Sequence, residues 1–271
     1  MYRPPWAPSE VDIALPSVAR VYDYYLGGSH NFESDRTFGR RVTNVYAALP
    51  VVLRDNRAFL RRAVRYLVAA GVDQFLDLGS GIPTVGNVHE VAHAGNPAAR
   101  IVYVDHDPVA VTHSRELLGD DPRTTVLAAD FVDAERVLHQ AAEAGGLDLD
   151  RPVAVLALLI LHFVADDRRP GEIMARYLRA TAPGSYLAIS QSRSDGSPQA
   201  VAGQRLYARE RSLEEMHPRT ATAVTALFGD LTLLAPGVVA APAWRPEPAA
   251  SDEEPDVPDD HPVLAGVARK D

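Results

Sequence analysis

The chain contains no cysteine in its 271 residues. That excludes a disulfide framework and a cysteine-ligated metal. It also lacks a membrane-length apolar run. The stretch Val153 to Leu161 falls well short of the roughly 18 residues a spanning helix needs. The N-terminus, Met1-Tyr2-Arg3-Pro4-Pro5-Trp6, has no signal-peptide core. These absences predict a cytosolic protein with no membrane partner. Positive charge is not in excess either: the net charge of −9 argues against a broad nucleic-acid surface and for a small-molecule substrate. Arg54, Arg57, Arg61, Arg62 and Arg65 cluster, but at helical spacing, which reads as a solvated helix face. No internal repeat and no catalytic triad are visible. No metal is expected. His89 and His93 stand four apart on a predicted helix, which is ligand spacing, and Asp166-Asp167 is thin support for a carboxylate cluster.

What the chain does have is a strand, a glycine turn and a second strand ending in an acid. The first is Gln74-Phe75-Leu76-Asp77-Leu78, running into Gly79-Ser80-Gly81; the second is Ile101-Val102-Tyr103-Val104-Asp105. Glycines let the backbone turn tightly and approach a ligand. A carboxylate at the end of the next strand can accept hydrogen bonds from both hydroxyls of a ribose. A dinucleotide site needs a third glycine, G-x-G-x-x-G, beside a pyrophosphate. Here Gly81 is followed by Ile82-Pro83-Thr84, and Asp77 precedes the turn. S-adenosylmethionine has no pyrophosphate and carries an ammonium, so Asp-x-Gly-x-Gly suits it better. A nicotinamide oxidoreductase is the rival that the missing glycine counts against.

Further acids stand at strand ends. Asp105-His106-Asp107-Pro108 opens a helix, and Thr125 to Asp130 is a strand ending in an acid able to accept from the adenine amine, with Phe131 beside the ring. The run Val153 to Leu161, ahead of His162-Phe163, suits a central strand buried on both faces.

The elements read as helices over 16–26, 35–49 (closed by Pro50) and 53–70, then strand 74–78, helix 86–95, strand 101–105 and helix 108–118. Strand 124–129, helix 133–143, strand 153–161, helix 170–181 and strand 185–191 follow, then helix over 199–227 and strands at 231–234 and 263–269. The alternation predicts a doubly wound, mostly parallel α/β sheet of Rossmann-like type. Residues 1–52 are expected to form an N-terminal arm and helical lid, and 53–271 the main domain. Pro246 to Pro262, acidic and proline-rich, is expected to be a mobile excursion.

The chain resembles the actinobacterial S-adenosylmethionine-dependent methyltransferase family long catalogued as a domain of unknown function. The resemblance rests on Ala19-Arg20-Val21-Tyr22-Asp23-Tyr24-Tyr25-Leu26-Gly27-Gly28, Asn31-Phe32, Asp55 to Leu60, Gln74 to Pro83, Gly86 to Glu90 and Tyr103-Val104-Asp105. Leu161 to Val164, Ala182 to Tyr186, Trp244-Arg245-Pro246 and Gly266 to Lys270 add to it. It implies a class I methyltransferase fold, a seven-stranded sheet with a reversed last strand, and S-adenosylmethionine as cofactor. By position, Asp77, Gly79 and Gly81 would line the methionine end, Asp105 would hold the ribose and Asp130 the adenine; Ser80, His106 and Phe131 are further cofactor-binding candidates. It implies no particular substrate.

Methyl transfer from a sulfonium mainly needs alignment, and a general base only if the acceptor must lose a proton. The catalytic candidates are His162, expected at the end of the central strand as a base or a wall residue, and Tyr22 of the N-terminal segment. Tyr25, His30 and Asn31 fall in the N-terminal segment, which is expected to close as a lid. Arg57 is expected to bind an acidic substrate group or the cofactor carboxylate. A pocket with no room beyond the sulfonium would instead indicate a binding protein without turnover.

Overall fold

A computed structural model describes residues 3–4, 7–9, 11–83, 86–210, 213–247 and 257–271. Most of the expected 246–262 excursion lies outside the described residues. Three helices come first: α1 (Val18–Tyr25), α2 (Glu33–Val45) and α3 (Leu49–Ala69). The alternating core follows as β1 (Gln74–Leu78), α4 (Val88–Gly95), β2 (Arg100–Asp105), α5 (Pro108–Leu118) and β3 (Thr124–Ala128). It continues with α6 (Ala134–Glu143), β4 (Ala154–Leu158), α7 (Pro170–Ala180) and β5 (Tyr186–Ser192). The chain then forms α8 (Pro198–Tyr207), α9 (Ala221–Ala226), β6 (Thr232–Leu233), β7 (Val239–Ala240) and β8 (Val263–Arg269).

The sheet runs β3-β2-β1-β4-β5-β8-β6, with β7 also on β8. Strands β1 to β5 pair in parallel, and β8 is antiparallel to β5. Side chains alternate across it. Leu76, Val102 and Val155 face a core shared with α6 and α7, while Phe75, Ile101 and Leu156 face one shared with α3 and α4. Both faces are covered, as a parallel sheet requires. The strand order reverses between β1 and β4, so a crevice opens at their carboxyl ends.

Four readings of the sequence need correction. Pro50 does not close α2, which stops at Val45; it sits in the first turn of α3, where its missing N–H would be unpaired anyway. The strand expected over 153–161 ends at Leu158, because Leu159 turns the chain with φ +52° and Leu161–Phe163 form a 3-10 turn. That turn is apolar because it packs into the core: Leu161 is fully buried. The helix expected over 199–227 is two helices. Between them Arg219 is held extended, its guanidinium donating to Leu161 O, Val164 O and Asp166 Oδ1. Finally, the sheet has eight strands rather than seven, because the two-residue β7, with too little pattern to be read, also pairs with β8.

Trp244 is fully buried edge-on to Phe59 of α3, and Arg62 Nε donates to its carbonyl at 2.9 Å. This ties the chain after β7 to α3.

Candidate active site

The cleft at the ends of β1, β2 and β4 is floored by the glycine turn. Gly79 and Gly81 have φ of +64° and +67°. At Gly79 a Cβ would overlap Ile160 of the chain leaving β4, so no larger residue fits there without displacement. Gly79 N donates to Val104 O at 2.8 Å, which holds the turn against β2. Gly79, Ser80 and Gly81 all line the cleft.

Asp77 and Asp105 line it as well. Asp105 Oδ2 accepts from Gly81 N at 2.7 Å and Oδ1 from Asp107 N at 2.8 Å, which fixes its carboxylate while leaving lone pairs for a ligand. Asp77 is 6% exposed and accepts no hydrogen bond among the described residues. Burial pushes its pKa up to about 7, opposed by the nearby Arg57 guanidinium and reinforced by Asp105. Arg57 lines the same cleft. Its Nη2 donates to Gly86 O at 3.2 Å and Asn87 Oδ1 at 3.1 Å, but its Nε is buried with no partner. A buried carboxylate and an unused guanidinium N–H thus share one end of the cleft.

Helix α1 covers the other side. Ser17 caps it, its Oγ accepting from Arg20 N, and the same hydroxyl donates to Asp107 Oδ2 at 2.8 Å. The helix is anchored from below by a buried ion pair, Arg20 Nε to Asp35 Oδ2 at 2.9 Å. Tyr22 lies inside this cover. Its hydroxyl accepts from Asn56 Nδ2, and burial raises its pKa. His106 lines the mouth and pairs with Glu214 Oε1 at 3.2 Å. The hydrogen bond to Glu214 lifts the His106 pKa to about 9 against the effect of burial, so the imidazole is charged at neutral pH.

Not every residue picked from the sequence reaches the cleft. Asp130 is exposed, its Oδ1 accepting from Val132 N, and the buried Phe131 side chain packs into the sheet core. Neither is among the residues lining the cleft. Asn31 braces the loop after α1: its Nδ2 donates to Asp23 Oδ2 and Gly28 O, and its Oδ1 accepts from Arg36. It lines none of the three depressions described here. His30 stacks on His113 at 3.4 Å and lines a separate depression with Arg54, Arg57 and Arg61.

His162 stands in the 3-10 turn beyond β4 rather than on the strand. It is buried, and burial with Arg219 and His217 nearby pushes its pKa down to about 3. An imidazole so hard to protonate is a poor general base. With Tyr22 and Tyr25 it lines a second cavity, beside the cleft and walled mainly by α1, α2, α3 and α8. Val18, Tyr22, Leu159 and Phe163 line both spaces.

The segment His89-Glu90-Val91-Ala92-His93 matches the H-E-x-x-H zinc pattern, which spacing alone does not dismiss. The geometry gives its side chains other partners. His89 Nδ1 bonds to Tyr103 OH, His93 Nε2 to Ala99 O, and Glu90 accepts from Gly86 N and Asn87 N to cap α4. Among the described residues no group of three or more His, Cys, Asp or Glu side chains is placed to hold a metal.

Sequence reasoning missed Glu214 and Arg219, which come from the irregular chain between α8 and α9. It saw Ser17 only as a cap. No local pattern marks such residues, because their partners are far away in the chain.

A parallel sheet reversing at β1/β4, an antiparallel β8 and an acid-lined glycine turn define a class I methyltransferase fold. The profile of the S-adenosyl methyltransferase family matches residues 4–271, and the chain belongs to that family. Its cofactor is S-adenosylmethionine. The structure is similar to that of a methyltransferase candidate from Thermobifida fusca YX, with 40% identity and a TM-score of 0.90 over 98% of this chain and 99% of that one. It is also similar to a DUF574 family protein from Streptomyces avermitilis MA-4680, with 38% identity and a TM-score of 0.88 over 96% and 99% of the two chains. A 63-residue stretch, 23% of this chain, is 38% identical to ribosomal RNA small subunit methyltransferase H of Halorhodospira halophila, but spans only 19% of that protein. No helix among the described residues is long and apolar enough to cross a membrane.

Proposed function

We propose that the cleft binds S-adenosylmethionine with its amino-acid end between Asp77 and Arg57 and its ribose at Asp105, and that a small molecule accepts the methyl group on the Tyr22 side. The observation that carries this reading is unused hydrogen-bonding capacity on two neighbouring ionisable groups. Asp77 accepts no hydrogen bond among the described residues, and Arg57 Nε donates none. A zwitterionic amino-acid tail satisfies both, ammonium to Asp77 and carboxylate to Arg57. A pyrophosphate would set negative charge beside Asp77 and Asp105.

When bound, S-adenosylmethionine supplies an electrophilic methyl group. The chain's residues supply position and dryness. Asn56 fixes the Tyr22 hydroxyl, and the buried Arg20–Asp35 pair holds α1 over the cleft as a lid. Leu159 and Phe163 bound the opening where the two spaces meet. Alignment of nucleophile, methyl and sulfur is the main catalytic task left to the protein.

The test is calorimetric titration of the purified chain with S-adenosylmethionine, S-adenosylhomocysteine and NAD, beside Asp105→Ala. Binding of the first two in roughly the micromolar range, weakened in the variant, is expected. NAD binding, or a folded protein that binds none of the three, would overturn the reading.

A further inference from the structure

The second cavity differs chemically from the cleft it joins. None of its lining residues is Asp, Glu, Lys or Arg, although the neighbouring cleft presents Asp77, Asp105, Arg57 and His106. Its walls are aliphatic side chains such as Val21, Val42 and Val52, together with aromatic ones. Its titratable groups are His162 and four tyrosines, Tyr22, Tyr25, Tyr46 and Tyr207. Burial holds all five in their neutral forms at neutral pH, lowering the imidazole pKa and raising those of the phenols. The polar capacity of the walls is therefore hydroxyl, imidazole and amide, with no formal charge. His162 makes no side-chain hydrogen bond among the described residues, and its Nδ1 is buried without a partner. The space between the walls, open solvent at its mouth included, is about 780 Å³.

Building on the proposed function, we infer that this cavity is the acceptor site and selects an uncharged, largely apolar ring compound carrying a hydroxyl group. An acceptor bearing carboxylate, phosphate or ammonium would lose its hydration here with no opposite charge to replace it, which strongly disfavours entry. A ring fills the aliphatic and aromatic walls, and the tyrosine hydroxyls and His162 offer neutral hydrogen bonds that orient it. The shared boundary of Val18, Tyr22, Leu159 and Phe163 places the acceptor hydroxyl toward the cleft. There the acceptor oxygen bonds to the methyl carbon as the carbon–sulfur bond breaks. The electron pair goes to sulfur, and the hydroxyl proton leaves to bulk solvent through the open mouth, since the neutral wall groups do not retain it.

The test uses the full chain saturated with S-adenosylhomocysteine, titrated with 2-naphthol and with its charged relative 6-hydroxy-2-naphthoate. The inference expects 2-naphthol to bind at least tenfold more tightly. Gly203, on the face of α8 that lines the cavity, has only ordinary contacts where a Cβ would stand, so Gly203→Leu fills the space. Met216, another lining residue, offers a second blocking variant, Met216→Trp. Either variant should lose 2-naphthol while binding S-adenosylhomocysteine as the parent does. Equal or preferred binding of the naphthoate, or 2-naphthol affinity unchanged in both variants, overturns the inference and leaves the cofactor site standing. Failure of the parent to bind S-adenosylhomocysteine overturns the underlying reading instead.

Discussion

Asn56 Nδ2 donates to the Tyr22 hydroxyl at 3.2 Å, and the same amide's Oδ1 accepts from Ser190 Oγ at 2.6 Å. One buried side chain thus links the covering helix α1, the long helix α3 and strand β5. Asn56→Ala leaves the fully buried Ser190 hydroxyl without that acceptor. The expected loss is about 1–3 kcal/mol in urea unfolding, with weaker acceptor binding as Tyr22 loses its anchor. Unchanged stability would show that water replaces the amide freely.

Asp77 ties function to pH. Its folded pKa of about 7 lies above the unfolded carboxylate value, so burial disfavours its charge. The contribution to stability is fully present below the unfolded pKa and is lost as pH rises through about 7. Asp77→Asn should therefore raise the Tm of the unliganded protein, by more at pH 8 than at pH 5. Cofactor affinity should behave oppositely. In the parent it rises from pH 6 to pH 8 as the carboxylate ionises to meet the ammonium, and in Asp77→Asn it is weak and nearly flat. Calorimetry and thermal melts across that window check both halves.

The His106–Glu214 pair joins the end of β2 to the chain between α8 and α9 across the cleft mouth. With the His106 pKa raised to about 9, the ion pair is fully formed below the usual imidazole value and is lost as pH rises through about 9. Both side chains are about half exposed, so the expected stability change in Glu214→Gln is below about 1 kcal/mol. The decisive readout is NMR titration of His106, whose pKa should fall toward the ordinary histidine value in the variant.

Gly79 adopts a left-handed φ under the Ile160 side chain. Gly79→Ala meets both the backbone penalty and the overlap, and the expected destabilisation is about 2 kcal/mol or more. Ile160→Ala removes the overlapping atoms but not the φ penalty. The double variant should recover only part of the loss, measured by denaturant midpoints.

The alternating core was legible because its strands are short, β-rich and closed by glycine or an acid, as in Gln74 to Gly79 and Ile101 to Asp105. Asp77, Asp105 and Tyr22, which stand within local motifs, all line the cleft. Pro50 was misread because proline stops one helix and starts another with equal ease. The 153–161 run was overextended because Leu159 to Leu161 is apolar for packing rather than for strand pairing. Asn31 looked like a ligand residue, yet its partners are Asp23, Gly28 and Arg36. The motif around it encodes the anchoring of α1 and its loop. Glu214 and Arg219 were invisible because their partners His106 and Leu161 are more than fifty residues away in the chain.

A crystal structure of the chain with S-adenosylhomocysteine would fix how the cofactor lies in the cleft. The amino group is expected at Asp77, the ribose at Asp105, and the sulfur facing Tyr22 and Leu159 at the mouth of the uncharged cavity. A sulfur directed instead toward the depression of Arg54 and Arg61, or a ligand outside the cleft, would contradict that placement.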